Sequence, residues 1–371
     1  MKVAIVGGGA VGVTAAYDLA ERGAEVVLYE KGEIAGGSTG RAAGVLYDAF
    51  AAPEDARVGD RAIERFREFS GEGDFEFRET PYVWFAREGD EKRGRAIREQ
   101  VPRMQDAGRD VSLTDPAELR ERFPAVNWDD VGVAAVAENT GCTIPATYAD
   151  LLAAKASDAG AELRTGVEAR VDAEDTRVET DAATESFDAI LVAAGAHTKR
   201  LLAEAGIPVP LKPYRVQALT AGFDADRREA LPMAYDATAG YYLRPHPDGL
   251  LAGDGTEEVE SDPDDWERDA DRDFCEVTRE RLGHRLGEFG ATREAWAGLC
   301  VATPDRDPLL GRLREGLFVA AGWQGHGFMR APALAEAAAE CVVGENPLPE
   351  FDPTRFEGDE EFDIVEGMAV E

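Results

Sequence analysis

Cysteine is scarce in this sequence, and long apolar runs are absent. Four cysteines are spread along 371 residues: Cys142, Cys275, Cys300 and Cys341. They form no CxxC pair, and this pattern indicates a reducing, cytoplasmic location rather than a disulfide-bonded scaffold. No run approaches the ~20 consecutive apolar residues that a membrane-spanning helix needs, so we expect no membrane span. The first expected strand begins at residue 2, so we expect no signal peptide either.

Lysine is scarce too, with six among the 40 lysines and arginines. Asp and Glu total 74, which gives a formal net charge of −34 at pH 7. A field of that sign repels nucleic-acid phosphates and anionic lipids, so neither is an expected partner. The excess of carboxylates predicts adaptation to molar salt, where a Debye length of ~3 Å screens the self-repulsion. An ordinary acidic cytosolic enzyme is the alternative.

Metal-binding patterns are missing as well. The four histidines have no metal-ligand spacing: His197, His246, His284 and His326. Four acidic residues do fall at positions 1, 3, 5 and 12 of a calcium loop: Asp269, Asp271, Asp273 and Glu280. Position 6 of that loop must be glycine and here it is Phe274, so the segment predicts a solvated acidic face. We therefore expect no metal site.

The length and the apolar content predict a folded protein of two domains. A chain of 371 residues exceeds the ~250–300 at which a single core stops growing, and 44% of the residues are apolar. The first thirty residues have the pattern of a strand (2–6), a helix (10–22) and a second strand (25–29). This β-α-β order predicts an α/β fold.

The segment from Gly7 to Gly12 matches GxGxxG, and its context makes it a dinucleotide-binding motif. It follows a strand, opens a helix, and is completed by Glu30, eighteen residues after Gly12. Gly7 permits the tight turn, Gly9 lets the backbone approach a diphosphate, and Gly12 lets the helix pack on the strand. We expect Glu30 to accept hydrogen bonds from an adenosine ribose. A glycine-rich turn without a ligand is the alternative.

Two later segments indicate which dinucleotide is bound. Residues 37–44 are mostly small, so a loop there can lie against a large planar cofactor. Residues 322–329 connect a buried strand to a helix, and backbone N–H groups at a helix start can hold the electron-rich edge of a flavin. Both features favour a flavin.

The rest of the chain alternates between further elements. We predict strands at 82–85, 131–136, 163–171, 187–194, 214–221, 240–245, 249–253 and 316–322, and helices at 90–107, 146–159, 262–286 and 331–343. In helix 262–286, Pro263 suits the first turn, and four apolar residues form one stripe: Trp266, Ala270, Phe274 and Val277. The acidic segment after Asn346 is expected to be a mobile end.

Together these segments resemble the FAD-dependent family of D-amino-acid oxidase, glycine oxidase, sarcosine oxidase and the secondary-amine dehydrogenases. The resemblance runs nearly end to end: residues 7–12 with Glu30, 38–44, 187–197, 241–245, 298–305 and 325–332. The segment Gly-His-Gly-Phe-Met at 325–329 is most similar to the β-type subunits of sarcosine or proline dehydrogenating complexes. The resemblance implies a Rossmann-type FAD-binding domain (1–78, 141–212 and 296–371) with an inserted, mostly antiparallel substrate domain (79–140 and 213–295).

The resemblance also implies the residues of the site. Non-covalent FAD is expected to contact Gly7, Gly9, Ala10, Val11, Gly12, Glu30, Lys31, Ser38, Thr39, Arg41, Ala42, Ala43, Gly44, Ala169, Ala193, Gly195, Gly325, His326, Gly327, Phe328 and Met329. The substrate is expected to meet Tyr242, Arg244, Cys300 and Gln324. We expect His326 to act mainly through its backbone.

Two positions depart from the family pattern. Glycine-oxidase-like members carry a carboxylate-binding Arg at the place of Cys300, and sarcosine oxidases carry a Lys at the place of Met329. We expect Cys300 to line the cavity, with a covalent flavin link as the alternative. Arg244 is the candidate replacement cation, on the same strand face as Tyr242 and opposite to Tyr241. The alternative is that Arg244 points away and pairs with surface acids.

The resemblance implies an FAD-dependent oxidation of the C–N bond in a small amino acid or secondary amine. Hydride passes to the flavin and water hydrolyses the imine, with O2 or another compound as electron acceptor. A flavoprotein subunit or assembly partner with little activity of its own is the main alternative. A dehydrogenase that uses NAD alone is a weaker one, because the segment at 322–329 favours a flavin. An oligomer or a partner subunit is compatible with either flavoprotein.

Overall fold

The computed structural model describes residues 1–365. Within that range the helices are α1 (Ala10–Glu21), α2 (Ser38–Arg41), α3 (Pro53–Phe69), α4 (Glu91–Asp106), α5 (Pro116–Arg122), α6 (Pro145–Asp158), α7 (Thr198–Glu204), α8 (Ala225–Glu229), α9 (Arg272–Leu286) and α10 (Gly327–Val342). The strands in the first half are β1 (Lys2–Val6), β2 (Glu25–Glu30), β3 (Val45–Tyr47), β4 (Arg78–Glu79), β5 (Tyr82–Arg87), β6 (Val111–Thr114), β7 (Val131–Ala137), β8 (Thr140–Cys142), β9 (Glu162–Thr165) and β10 (Arg170–Asp172). The later strands are β11 (Arg177–Glu179), β12 (Thr184–Ser186), β13 (Ala189–Val192), β14 (Lys212–Ala221), β15 (Met233–Asp236), β16 (Tyr241–His246), β17 (Gly249–Asp254), β18 (Thr292–Ala302), β19 (Leu309–Arg314) and β20 (Leu317–Ala321).

A six-stranded sheet forms the first layer, in the order β19-β20-β13-β1-β2-β9. Its pairs are parallel except β19 with β20. The inner strands are apolar and buried because helices cover the sheet, as parallel sheets require. Helix α1 packs against α6 and α10. The predicted Rossmann-type arrangement is confirmed.

An eight-stranded sheet forms the second unit, in the order β18-β14-β17-β16-β15-β5-β7-β6. Every pair in it is antiparallel except β5 with β15. This arrangement confirms the mostly antiparallel second sheet. One face packs toward the first layer through Trp84, Met233 and Tyr235, and the other packs around Trp128 and Leu243.

The predicted domain boundaries can be compared with the membership of the two sheets. All strands of the six-stranded sheet fall within the segments assigned to FAD binding. The boundary at residue 296 lies inside β18, which pairs along its length with β14 of the eight-stranded sheet. By strand pairing, residues 296–302 are continuous with the eight-stranded sheet. The division into two domains stays a prediction.

The predicted helix at 262–286 is wrong in its first ten residues, since α9 begins at Arg272. The Asp262 carboxylate accepts the backbone N–H of Asp264 at 2.9 Å, which forms a turn, and Asp269 pairs with Trp296 as an isolated β-bridge. These local bonds compete with helix formation. Trp266 therefore lies on an irregular segment and not on the stripe of α9.

Two smaller differences concern turns and the end of the chain. The strand predicted at 163–171 divides into β9 and β10, because Gly166 adopts a φ of +69° between them. In the described part of the segment after Asn346, Phe351 is fully buried and Ile364 is 6% exposed, so these two residues pack against the rest of the protein. The remainder of that predicted mobile end lies outside the described residues. None of the described helices is long and apolar enough to cross a bilayer.

A buried ion pair fixes helix α1, whose N-terminus forms part of the site. Arg65 of α3 donates to both oxygens of Asp18 at 2.7 Å, and it also donates to the Pro332 carbonyl of α10 at 2.9 Å. Both side chains are at most 10% exposed. Because a bidentate pair is geometrically specific, it sets the relative positions of three helices.

Candidate active site

The nucleotide-binding turn needs glycine at two positions. Gly7 has a φ of +118°, and a Cβ there would lie 2.4 Å from the Ala193 carbonyl oxygen. A Cβ on Gly12 would lie 1.9 Å from the Gly7 carbonyl oxygen, so only glycine lets α1 approach β1. The roles that the sequence predicts for Gly7 and Gly12 therefore agree with the observed close approaches.

Glu30 is held in a position that suits a ribose. Its two carboxylate oxygens accept the backbone N–H groups of Gly8 at 2.7 Å and Gly32 at 2.8 Å. Each oxygen keeps a further lone pair, and Glu30 lines the central cavity. The vicinal hydroxyls of an adenosine ribose fit these acceptors.

The loop at 38–44, which we call the cofactor loop, joins the two sheets. Thr39 accepts the Ala10 backbone N–H through Oγ1 at 3.0 Å, at the start of α1. Ser38 donates to the Leu299 carbonyl at 2.7 Å, and Arg41 donates to the Ala297 carbonyl at 2.9 Å. Both of these acceptors belong to β18. The loop is therefore held from the first sheet and from the second.

A cavity of about 320 Å³ runs between the two sheets. Most of the predicted cofactor residues line it: Gly7, Gly9, Ala10, Val11, Glu30, Ser38, Thr39, Arg41, Ala42, Ala43, Gly44, Ala193, Gly195, Gly325, Gly327, Phe328 and Met329. Two of the four predicted substrate residues, Tyr242 and Cys300, line it as well. The glycine-rich lining and the free acceptor sites of Glu30 are compatible with FAD, whose ribose would lie beside Glu30.

Other predicted residues lie outside this lining. Gly12 lies beneath the turn, and Ala169 is buried in the core beside β2. Lys31 points to the surface, with Nζ 2.7 Å from His197 Nε2 and 3.2 Å from the Asp264 carboxylate. Their contacts with FAD stay predictions.

Gln324 and His326 line a second cavity of about 260 Å³. His326 is buried, with Nε2 3.0 Å from the Tyr47 hydroxyl. Burial, and then the positive charge of Arg330, lower its pKa to about 3, so the ring is neutral. The Gln324 amide donates to the Val365 carbonyl at 2.6 Å. The side chain of His326 therefore has a defined contact that the sequence did not predict.

Arg244 differs from both expectations. Its guanidinium is 2% exposed and donates to three backbone carbonyls, those of Ala43, Pro245 (2.8 Å) and Thr143 (3.1 Å). Within residues 1–365 it neither lines the central cavity nor forms an ion pair with a surface carboxylate. Its face was predicted correctly, since Tyr242 lines the cavity while Tyr241 packs in the opposite core. Arg244 thus positions the cofactor loop.

Several lining residues were missed by sequence reasoning: Tyr214, Gln217, Asp254, Trp266, Arg268, Trp296 and Trp323. Trp266 had been assigned to a helix stripe. Asp254 gave no motif, and burial raises its pKa. Four charged residues line the cavity, Glu30, Asp254, Arg41 and Arg268. Among residues 1–365, no group of three or more His, Cys, Asp or Glu side chains is placed to hold a metal ion.

Comparison with known proteins gives sequence relatives along most of the chain. FAD-dependent oxidoreductase domain-containing protein 1 of Xenopus laevis is 27% identical, over 92% of this chain and 79% of that protein. Human mitochondrial dimethylglycine dehydrogenase is 27% identical, over 96% of this chain. The match covers only 44% of the human protein, so this chain corresponds to less than half of it.

A solved structure shows the same architecture. L-proline dehydrogenase from P. horikoshii superposes with a TM-score of 0.86 at 28% sequence identity, covering 97% of this chain and 98% of that one. A family model described as FAD dependent oxidoreductase (DAO) matches residues 2–341, which is most of the chain. Since this match spans far more than half of the sequence, the chain belongs to the DAO family of FAD-dependent oxidoreductases.

Proposed function

We propose that this protein oxidises the C–N bond of a small amino acid or secondary amine, with the imine product hydrolysed by water. The chemistry that FAD supplies when bound is hydride acceptance at the N5 atom of its flavin ring. The protein supplies placement and a dry environment. The observation that carries the proposal is the continuous cavity that leads from Glu30, past the cofactor loop, to Tyr242 and Cys300 of the second sheet.

The far wall of the cavity supports a small, largely apolar substrate. Val45, Val216, Cys300 and Met329 line it without charge, and Tyr242 adds an aromatic wall. Excluding water around the reacting carbon strengthens electrostatic interactions and limits side reactions. A substrate carboxylate placed beside Cys300 or Met329 would meet no cation on those side chains and would be costly to bury. We therefore propose that the substrate carboxylate is held elsewhere or is missing.

The names of the relatives agree with this substrate class. Two of them act on dimethylglycine and on L-proline, whose nitrogens carry more than one carbon substituent. Within this class we propose a secondary amine as the substrate, together with non-covalent FAD and a cytoplasmic location. A partner subunit stays part of the proposal, since the segment at 325–329 resembles that of β-type subunits.

An anaerobic bleaching screen with matched compounds tests the proposal. The holoenzyme is mixed with sarcosine, dimethylglycine, L-proline, glycine and D-amino acids, and in parallel with dimethylamine and pyrrolidine, which lack the carboxylate. Loss of flavin absorbance with one compound identifies the substrate. Bleaching by pyrrolidine as fast as by proline shows that no carboxylate is required. A yellow protein that no compound reduces contradicts the proposal and favours a subunit with little activity of its own.

A pair of variants ties the activity to the cavity. Tyr242→Phe removes a hydroxyl from the cavity wall, and we expect kcat/KM to fall by about tenfold, as for loss of one hydrogen bond. Tyr241→Phe is the control, because its hydroxyl donates to the Arg281 carbonyl on the opposite face. Equal effects of both variants would contradict the assignment. Flavin that stays with the polypeptide after acid precipitation would show a covalent link and implicate Cys300.

A further inference from the structure

Two arginines and a tryptophan form a cluster at the wall of the central cavity. The guanidinium carbon of Arg41 lies 5.6 Å from the ring centroid of Trp266, and that of Arg268 lies 5.4 Å from the same ring. All three residues line the cavity. Arg41 belongs to the cofactor loop, whereas Trp266 and Arg268 belong to the irregular segment before α9. The cluster thus brings together two distant parts of the chain.

The two guanidinium groups lack a carboxylate partner within the described residues. Neither Arg268 nor Arg41 forms an ion pair within residues 1–365, although the chain carries a net charge of −34. The carboxylate of Asp269 attracts Arg41 from beyond ion-pair distance. Burial and the like charge of Arg268 both lower the pKa of Arg41. Nearby Arg200, in contrast, pairs with Asp262 at 2.8 Å.

Bringing two like charges together beside a cavity is unfavourable unless an anion joins them. Arg41 uses one guanidinium nitrogen for the Ala297 carbonyl at 2.9 Å, and the planar group keeps other donors. The planar guanidinium group of arginine can donate two parallel hydrogen bonds to the oxygens of a phosphate. The ligand chemistry that fits the cluster is therefore a diphosphate, which has one negative charge on each of two adjacent phosphoryl groups.

The position of the cluster along the cavity identifies that group. On one side lies the ribose end, where Lys31 of the β2 turn contacts Asp264 at 3.2 Å, two residues before Trp266. On the other side lies the cofactor loop, where Thr39 contacts the N-terminus of α1. In FAD the diphosphate lies between the adenosine and the flavin. We propose that Arg268 and Arg41 together bind the FAD diphosphate across Trp266, opposite the N-terminus of α1.

This proposal makes the irregular segment at 255–271, which connects β17 to α9, a cover for the cofactor. It depends on FAD binding and is independent of which amine is oxidised. Binding of a substrate carboxylate by Arg268, and stacking of the adenine on Trp266, are the two competing explanations. The experiment separates all three.

The test compares Arg268→Gln with Arg272→Gln in the full chain. Arg272 is a matched control, since it is exposed, lies four residues away and forms an ion pair with Glu276 at 2.7 Å. Dissociation constants are measured for FAD, ADP and adenosine after removal of bound FAD by dialysis, at 0.5 and 3 M KCl. We expect Arg268→Gln to raise the constants for FAD and ADP by tenfold or more, to leave adenosine unchanged, and to lose much of its effect at 3 M.

Other results overturn the proposal. Unchanged FAD and ADP affinities with a higher KM would assign Arg268 to the substrate, and an equal loss for adenosine would assign the cluster to the adenine. Arg268→Lys keeps a positive charge but not the paired donors of a guanidinium, so it should bind ADP more tightly than Arg268→Gln. Equal ADP affinities of these two variants would also count against a phosphate contact. If no amine reduces the flavin, the proposed function fails while these binding results still decide the role of Arg268.

Discussion

Replacing Arg244 with methionine distinguishes a residue that positions the cofactor loop from one that binds substrate. Methionine donates no hydrogen bond, so the carbonyls of Ala43, Thr143 and Pro245 all lose a donor. A buried acceptor without a partner costs ~1–3 kcal/mol, and removing a buried charge returns part of the total. We expect the free energy of unfolding to fall by about 2–4 kcal/mol. FAD should also dissociate faster, because Ala43 lies in the cofactor loop.

Urea unfolding followed by flavin and tryptophan fluorescence measures the change, together with FAD content after gel filtration. Arg228→Met is the control, since Arg228 donates to the Pro247 carbonyl at 2.6 Å near the surface and should cost less than about 1 kcal/mol. The positioning role would be refuted by a variant of unchanged stability and FAD content. If kcat/KM also fell by 100-fold or more in that variant, Arg244 would be the carboxylate clamp after all.

Three further predictions concern the cofactor, the charge and the pH dependence. Glu30→Ala should raise the dissociation constant for FAD by roughly 10- to 100-fold, as expected for loss of a charged acceptor worth ~1.5–3 kcal/mol. Glu33→Ala is the control and should leave this constant unchanged. Equal FAD affinity of the two variants would show that Glu30 does not bind the ribose. The melting temperature should rise from 0.1 to 3 M KCl as salt screens the surface carboxylates, and a flat profile would contradict adaptation to salt. His326 has a folded pKa of about 3 against an ordinary value of 6.5, so the unfolded chain binds a proton first and stability should fall as the pH drops from 6.5 toward 3. His326→Gln should flatten the fall in melting temperature between pH 7 and 4, and parallel curves for the two proteins would show that the ring does not control it.

The features that the sequence predicted are those that depend on neighbouring residues. The β-α-β unit and its glycines follow from local periodicity, and the structure has β1, α1 and β2 within a residue or so of the expected bounds. Helix 262–286 was predicted too long because its apolar residues have helical spacing, whereas the chain forms a turn at Asp262 instead of a helix. The pairing of Asp269 with Trp296, which is distant in sequence, could not be seen from that segment.

The other features of the site depend on contacts between residues that are distant in the sequence. Arg244 donates hydrogen bonds to the carbonyls of Ala43 and Thr143, which are 201 and 101 residues away in the sequence. No local pattern could therefore show that its guanidinium donors already have partners. Arg268 and Arg41 are likewise brought together by the fold. The family resemblance indicated the positions that face the cofactor, but the partners of each charged side chain required the tertiary structure.

The attachment of the cofactor loop to β18 has a consequence for solubility. β18 is the outermost strand of the eight-stranded sheet, and an uncovered edge strand is a template for pairing between molecules. Ser38 and Arg41 occupy the carbonyls of Leu299 and Ala297 on that edge, and the Ala297 N–H donates to the Arg268 carbonyl at 2.8 Å. Displacing the loop therefore exposes unpaired backbone groups of β18, and variants that displace it should be more prone to self-associate through this edge.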